Sequence, residues 1–178
     1  LDGAKNDIGF TTTYRDDPFF IDPRNKKLGA RVIINLEKLY MSIKKLKLKL
    51  EDPKKYYTLS HQLGIPQIST KDLQEKIFGL ECNFEEFNGI DFKNGCYVGQ
   101  ENTARMKLKS KIRKKLLPIK SDKKIKTGSN VNFKGVKVGA VLISEPYPFA
   151  LIKLFEPDFS IFKDKDLLVD NNISRIIQ

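Results

Sequence analysis

The sequence predicts an α+β chain in which a mixed helix and strand region gives way, near residue 110, to a small antiparallel barrel or sandwich. Three observations carry this reading. Leu36, Leu39, Tyr40, Ile43 and Leu46 recur at helical spacing, the 3.6-residue period of an amphipathic helix. From about Lys111 the pattern changes to short β-type runs: Leu116-Leu117-Pro118-Ile119, Val131-Asn132-Phe133, Val136 to Ile143 and Phe149 to Phe155. Thr127-Gly128-Ser129-Asn130, Lys134-Gly135 and Pro146-Tyr147-Pro148 separate them, and four or five strands in roughly 45 residues are the pattern of a small antiparallel barrel or sandwich. Finally, 178 residues can bury a core without covalent staples, as one domain or two small ones.

Taken in order, Ile8 to Tyr14 and Phe19-Phe20-Ile21 flank the turn signal Asp16-Asp17-Pro18 and predict a hairpin. After Asp22-Pro23-Arg24 and Leu28-Gly29-Ala30-Arg31, Val32-Ile33-Ile34 reads as a buried strand. The helix at Leu36 follows, although Leu46-Lys47-Leu48-Lys49-Leu50 also fits strict two-residue alternation, so both periods stay open there. A second helix is expected to begin at Asp52-Pro53 and to stop at Gly64, because proline suits the first helical position and glycine the end. Gln100 to Lys107 reads as a further turn or two of helix. The tail after Glu156 is polar and is expected to be partly mobile, and no internal repeat is evident.

The formal net charge is +11, and the segment from Arg105 to Lys126 holds eleven basic residues against Asp122 alone. Such a strip attracts phosphates, a polyanionic tail or an acidic partner surface. It has no aromatic residue to stack on bases, and its only arginines are Arg105 and Arg113, which weighs against a basic RNA-binding module. Direct tRNA contact therefore rests on charge alone. A solvated face, or simply a lysine-rich composition with six arginines among 33 basic residues, explains the strip equally well. No apolar run approaches a membrane span, so no membrane partner is expected. The two cysteines, Cys82 and Cys96, form no disulfide framework, and their spacing matches no familiar zinc motif. No metal ligand set is expected.

The densest chemistry lies at Lys93-Asn94-Gly95-Cys96-Tyr97-Val98-Gly99-Gln100-Glu101, followed by Arg105. Gly95 and Gly99 let the backbone turn tightly or come close to a ligand. Glu101 and Arg105 are spaced to pair on one helix face. Cys96 precedes the helix start, with Lys93, Arg105 and Lys107 near in sequence, and helix N-termini and cations lower a thiol's pKa. A reactive Cys96 competes with the plain alternative of a buried small hydrophobe. For Cys82 and the lone His61, packing is the expectation.

The passage Asn88 to Arg105 resembles the signature of the YgfZ-type folate-binding proteins, GcvT-like relatives of the glycine-cleavage T-protein. Gly95, Cys96, Tyr97, Gly99, Gln100, Glu101 and Arg105 match it in order. Asp22-Pro23-Arg24 with Leu28-Gly29 and Arg31, Leu63-Gly64-Ile65-Pro66, and Glu81-Cys82-Asn83 fit the same family, so the resemblance reaches to about Phe155. Asn94 stands where lysine is usual, Ala30 where tryptophan is common and Ser60 where many relatives carry arginine. The resemblance, with a chain that begins at Leu1 rather than methionine, implies the C-terminal portion of a longer protein.

What the resemblance implies is a partial, ferredoxin-like folate-binding body over residues 1–110 and a C-terminal β-barrel with a tail over 111–178. It implies tetrahydrofolate as cofactor and a late role in iron–sulfur cluster assembly or repair that indirectly supports tRNA modification. The partners would be the iron–sulfur assembly machinery and client iron–sulfur enzymes, in a bacterial cytoplasm or, alternatively, a mitochondrial matrix. Glu81 and Asn83 are the implied residues for the pterin edge, and Arg24 and Arg31 for the glutamyl tail, against an internal salt bridge at the Asp-Pro-Arg turn. Gly95, Gly99, Gln100, Glu101 and Arg105 complete the implied cofactor-binding set, with Cys96 as the implied catalytic thiol. A permanent cluster needs about four cysteine-type ligands, so a single thiolate points to transient cluster binding. The rival is an aminomethyltransferase-type one-carbon enzyme, but T-proteins lack this cysteine motif.

Overall fold

A computed structural model of the chain describes residues 7–93, 96, 98–109 and 112–177. Asn94, Gly95 and Tyr97 of the cysteine motif lie outside the described residues. The chain divides into two compact units, Leu1–Tyr56 and Tyr57–Gln178.

The first unit is an antiparallel meander of β1 (Thr11–Tyr14), β2 (Asp17–Ile21) and β3 (Ala30–Val32), followed by α1 (Leu36–Leu46). Its first turn is one residue earlier than the Asp-Asp-Pro signal suggested. Tyr14 pairs with Asp17, and Arg15 and Asp16 both take positive φ, 54° and 68°. Two central residues with positive φ match the twist of a two-residue hairpin. Pro18 falls inside β2, where its carbonyl accepts from the Ile33 N–H at 3.0 Å.

Val32-Ile33-Ile34 is not the buried strand expected. β3 ends at Val32, and Ile33 is 65% exposed. α1 forms as the periodicity predicts, with the Asn35 side chain accepting from the Lys38 N–H at its N-terminus, an ordinary N-cap. It stops where Lys47 takes a left-handed conformation, which resolves the ambiguity at Leu46-Lys47-Leu48 against a strand. Its buried residue is Ser42, not its apolar stripe. Ser42 accepts from Arg15, and Lys38 reaches Asp17 at 2.9 Å, so a polar face ties the helix to the hairpin. This meander with one helix does not show the ferredoxin-like body implied by the resemblance.

The barrel is shown outright. Six strands, β4 (Lys114–Ser121), β5 (Asn130–Phe133), β6 (Val136–Ile143), β7 (Phe149–Lys153), β8 (Leu167–Val169) and β9 (Asn172–Ile176), close in the order β4-β7-β6-β5-β8-β9. Closure removes the exposed strand edges that an open sheet would carry. Ile119, Val131, Val138, Val141, Ile152, Leu167 and Val169 are fully buried inside it, and Phe162 packs between Phe133 and Phe159. Burying each such aliphatic side chain contributes about 2 kcal/mol. Gly139 is required by space: a Cβ there would lie 2.6 Å from the Leu151 carbonyl oxygen.

The tail after Glu156 corrects the sequence reading. It supplies β8 and β9, joined through Asp170 and Asn171, both at positive φ, and places Leu167, Val169 and Ile176 in the core.

Candidate functional site

α2 (Pro53–Gln62) starts at Pro53 as expected, and Gly64 at φ +80° ends the turn that follows. Ser60 and His61 are fully buried near its end. The Ser60 hydroxyl donates to the Ile65 carbonyl at 2.7 Å. His61 Nδ1 lies 3.0 Å from the Tyr147 carbonyl oxygen, and its ring meets Phe149 edge-on at 5.1 Å. Burial lowers the His61 pKa, with hydrogen bonds to backbone opposing it, so the ring is neutral at physiological pH. His61 is a packing residue.

The chain then runs over the outside of the barrel. Leu73 and Cys82 pack on Leu116, Ile143 and Phe149. The Glu81 carbonyl accepts from the Leu116 N–H at 2.8 Å, and Asn83 Nδ2 donates to the Leu116 carbonyl at 2.9 Å. Cys82, between them, is buried, and burial together with the neighbouring Glu81 pushes its thiol up to about 11. It is protonated and shielded at neutral pH. Cys96, by contrast, is exposed.

α3 (Gln100–Lys109) follows Gly99, whose φ of +87° is the reason for glycine there, since a Cβ would meet open space. Thr103 donates through its backbone N–H and its hydroxyl to the Gly99 carbonyl, each at 3.1 Å. Arg105 donates to Glu101 at 2.7 Å on the exposed face, the pair read from the spacing. Lys107 pairs with Glu85 and stacks 4.0 Å from the Phe92 ring centroid, while Lys115 pairs with Glu86. Local carboxylates therefore neutralise part of the basic strip.

Phe78, Glu81, Asn102, Arg105, Met106, Ile112 and Arg113 line a cleft of about 440 Å³. Two of the implied cofactor-binding residues, Glu81 and Arg105, thus share one cavity. Glu81 Oε2 already accepts from the Phe78 N–H at 3.0 Å. The other lining residues were missed by reading the motif as a linear string. Asn102, Arg105 and Met106 stand at i, i+3 and i+4, a spacing that places them on one helix face.

Arg24 and Arg31 converge on Asp22, in the first unit. Arg24 reaches both carboxylate oxygens, at 3.0 and 2.8 Å, Arg31 donates at 2.7 Å, and Arg31 also donates to the Tyr56 hydroxyl at 2.6 Å. Asp22 is fully buried. Burial alone would raise its pKa, but the hydrogen bonds from Arg24 and Arg31, with the charge of Arg24, outweigh it and hold the carboxyl at about 2. This is the internal salt bridge weighed against a folate-tail site. Tested against tetrahydrofolate, the implied residues fit only in part: Glu81 opens onto the cleft, whereas the Asn83 amide is committed to Leu116 and both arginines to Asp22.

No protein-family model matches the chain. It is 35% identical over 120 residues to the mitochondrial iron–sulfur cluster assembly factor IBA57 homolog of Dictyostelium discoideum, covering 60% of this chain and 29% of that protein. With the protein of the same name from Neurospora crassa it shares 37% over 97 residues, 54% of this chain and 22% of the other. With that from Pyricularia oryzae it shares 32% over 111 residues, 62% and 26% respectively. The chain thus spans less than a third of the length of these curated relatives, and what it is similar to, at this modest identity, are proteins named as mitochondrial iron–sulfur cluster assembly factors.

Proposed function

We propose that this chain belongs to a factor acting in iron–sulfur cluster assembly, with Cys96 as the thiol that contacts the cluster in transit. The similarity to the relatives from Dictyostelium, Neurospora and Pyricularia is the observation that carries the reading. The contrast between the two thiols supports the choice of residue: Cys82 is buried with a raised pKa, and Cys96 is exposed three residues before Gly99, which leads into α3. Among the described residues no three of His, Cys, Asp and Glu converge as a metal site. A cluster meeting Cys96 would then be held jointly with a second protein, the thiol giving its proton to solvent as it replaces one ligand of the donor.

The partners in this reading are the assembly machinery and client iron–sulfur enzymes, with support of tRNA modification following through such clients. The relatives' names favour a mitochondrial matrix over a bacterial cytoplasm. Tetrahydrofolate is a proposed ligand on the strength of the Gly95 to Arg105 resemblance.

The test is complementation of an iron–sulfur maturation mutant, reading the activity of a cluster-dependent enzyme. Wild type is expected to restore it and Cys96→Ala to fail. Full rescue by Cys96→Ala would remove the thiol from the chemistry, and failure of wild type would remove the assembly role.

A further inference from the structure

We propose that the cleft between the Phe78–Glu81 turn and α3 is a docking slot for an acidic segment of a protein that gives or receives the cluster. An apolar side chain of that segment enters the floor while its carboxylates meet Arg105 and Arg113. The role of the partner rests on the assembly-factor reading above; the chemistry of the slot rests on the cleft alone.

The floor is apolar. Met106 and Ile112 line it, and Phe78 stands beside them with 58% of its surface exposed. A volume of about 440 Å³ accommodates one or two side chains rather than a folded element. Large exposed aromatic residues beside arginines are the composition of interface anchor points.

The charge is set by what the carboxylates are already doing. Glu81 is the acidic residue lining the cleft, and the Phe78 N–H holds one of its oxygens at 3.0 Å. Arg105 is engaged by Glu101 alone among the described residues, through one nitrogen on the exposed face. The Arg113 backbone carbonyl accepts from Leu154, but its guanidinium has no partner among the described residues. Two forks of N–H donors over an apolar floor select carboxylates attached to an apolar anchor. An RNA strand would use the arginines and the Phe78 ring but gain little from Met106 and Ile112, because bases stack on aromatic faces and not on aliphatic side chains. A peptide uses both.

Fluorescence anisotropy on the 178-residue chain tests this, with a labelled short peptide carrying one phenylalanine among glutamates as the probe. Companion peptides replace the glutamates by lysines or the phenylalanine by alanine. The acidic peptide is expected to bind and both companions to bind at least about tenfold more weakly. Arg113→Ala, an exposed truncation that spares the barrel, and Met106→Asp should each weaken the acidic peptide by about the same factor, with far-UV circular dichroism unchanged. Equal binding of all three peptides, wild-type affinity in Arg113→Ala, or displacement of the peptide by polyuridylate would overturn the slot. In the complementation assay, wild-type rescue without peptide binding sinks the slot alone, and peptide binding without wild-type rescue sinks the partner's role alone.

Discussion

The two units of this chain reach stability by opposite means. The barrel unit buries a continuous aliphatic and aromatic core, with Val131, Val138, Val141, Ile152, Phe162, Leu167 and Val169 all inaccessible to solvent. The first unit, among its described residues, buries only Ile21, Asp22, Leu28 and Ser42. Its organising centre is a carboxylate gripped by two guanidiniums and, through them, a tyrosine hydroxyl. Apolar burial is non-directional and tolerant of small adjustments. A buried charge cluster holds only while every partner is present. The first unit should therefore fail by the loss of one atom group, and the barrel by the loss of volume.

The largest expected break is Phe162→Ala, which empties the barrel between Phe133 and Phe159 and should cost about 4 kcal/mol in denaturant unfolding. Next is Asp22→Ala, which leaves Arg24 and Arg31 facing each other across the Tyr56 hydroxyl. It should cost about 3 kcal/mol, read as lost amide protection around Ile21 and Gly29 while barrel amides keep theirs. Equal loss in both units would end the contrast. Gly139→Ala drives a methyl group against the Leu151 carbonyl oxygen and Ile152, and about 2 kcal/mol is expected from that overpacking. Smallest is Ser42→Ala, which removes a hydroxyl donating to Lys38 at 2.7 Å and accepting from Arg15 and should cost about 1 kcal/mol.

Acid should separate the units by pH window. The His61 pKa is lowered in the fold from 6.5, so its contribution is complete above that value and declines as pH falls below it, because the unfolded chain takes the proton more readily. The Asp22 pKa is lowered from 3.8 to about 2, so its contribution is complete above the ordinary carboxylate value and is lost as pH falls towards 2. Amide exchange followed downward from neutral pH should therefore weaken first around His61 and later around Asp22. A His61→Gln variant that kept the early loss would assign it elsewhere.

Much of the barrel was legible because its signals are local. Strand runs broken by Gly128, Gly135 and Pro148 need only their own neighbourhoods to be read. β8 and β9 escaped because Asp166, Asp170, Asn171 and Asn172 make the tail look polar, yet Leu167 and Val169 alternate and Asp170-Asn171 is the turn between them. Closure is a long-range event: β9 pairs with β4, some fifty residues away. α1 misled in the other direction, since its stripe of Leu36, Tyr40 and Leu46 promised burial and the structure leaves those residues more than half exposed. At the site, the Glu101–Arg105 pair was readable from spacing. Arg113 was visible only as one more charge in the basic strip, because its place in the cleft depends on how α3 and the residues before β4 come together.

The clamp on Leu116 has a consequence for how copies of this chain behave in a crowded compartment. Among the described residues β9 pairs with β4 from Ile119 to Ser121, and Ile177 adds a bond to the Pro118 carbonyl at 2.9 Å, so the stretch of β4 before Pro118 would otherwise present bare donors and acceptors on that side. The Glu81 carbonyl and the Asn83 amide occupy those at Leu116. A turn outside the sheet thus does the work of a missing strand and blocks the seam at which another molecule's strand would add. Loosening it, as Asn83→Ala would, should show itself first as concentration-dependent self-association, before any change in the folded unit's own melting.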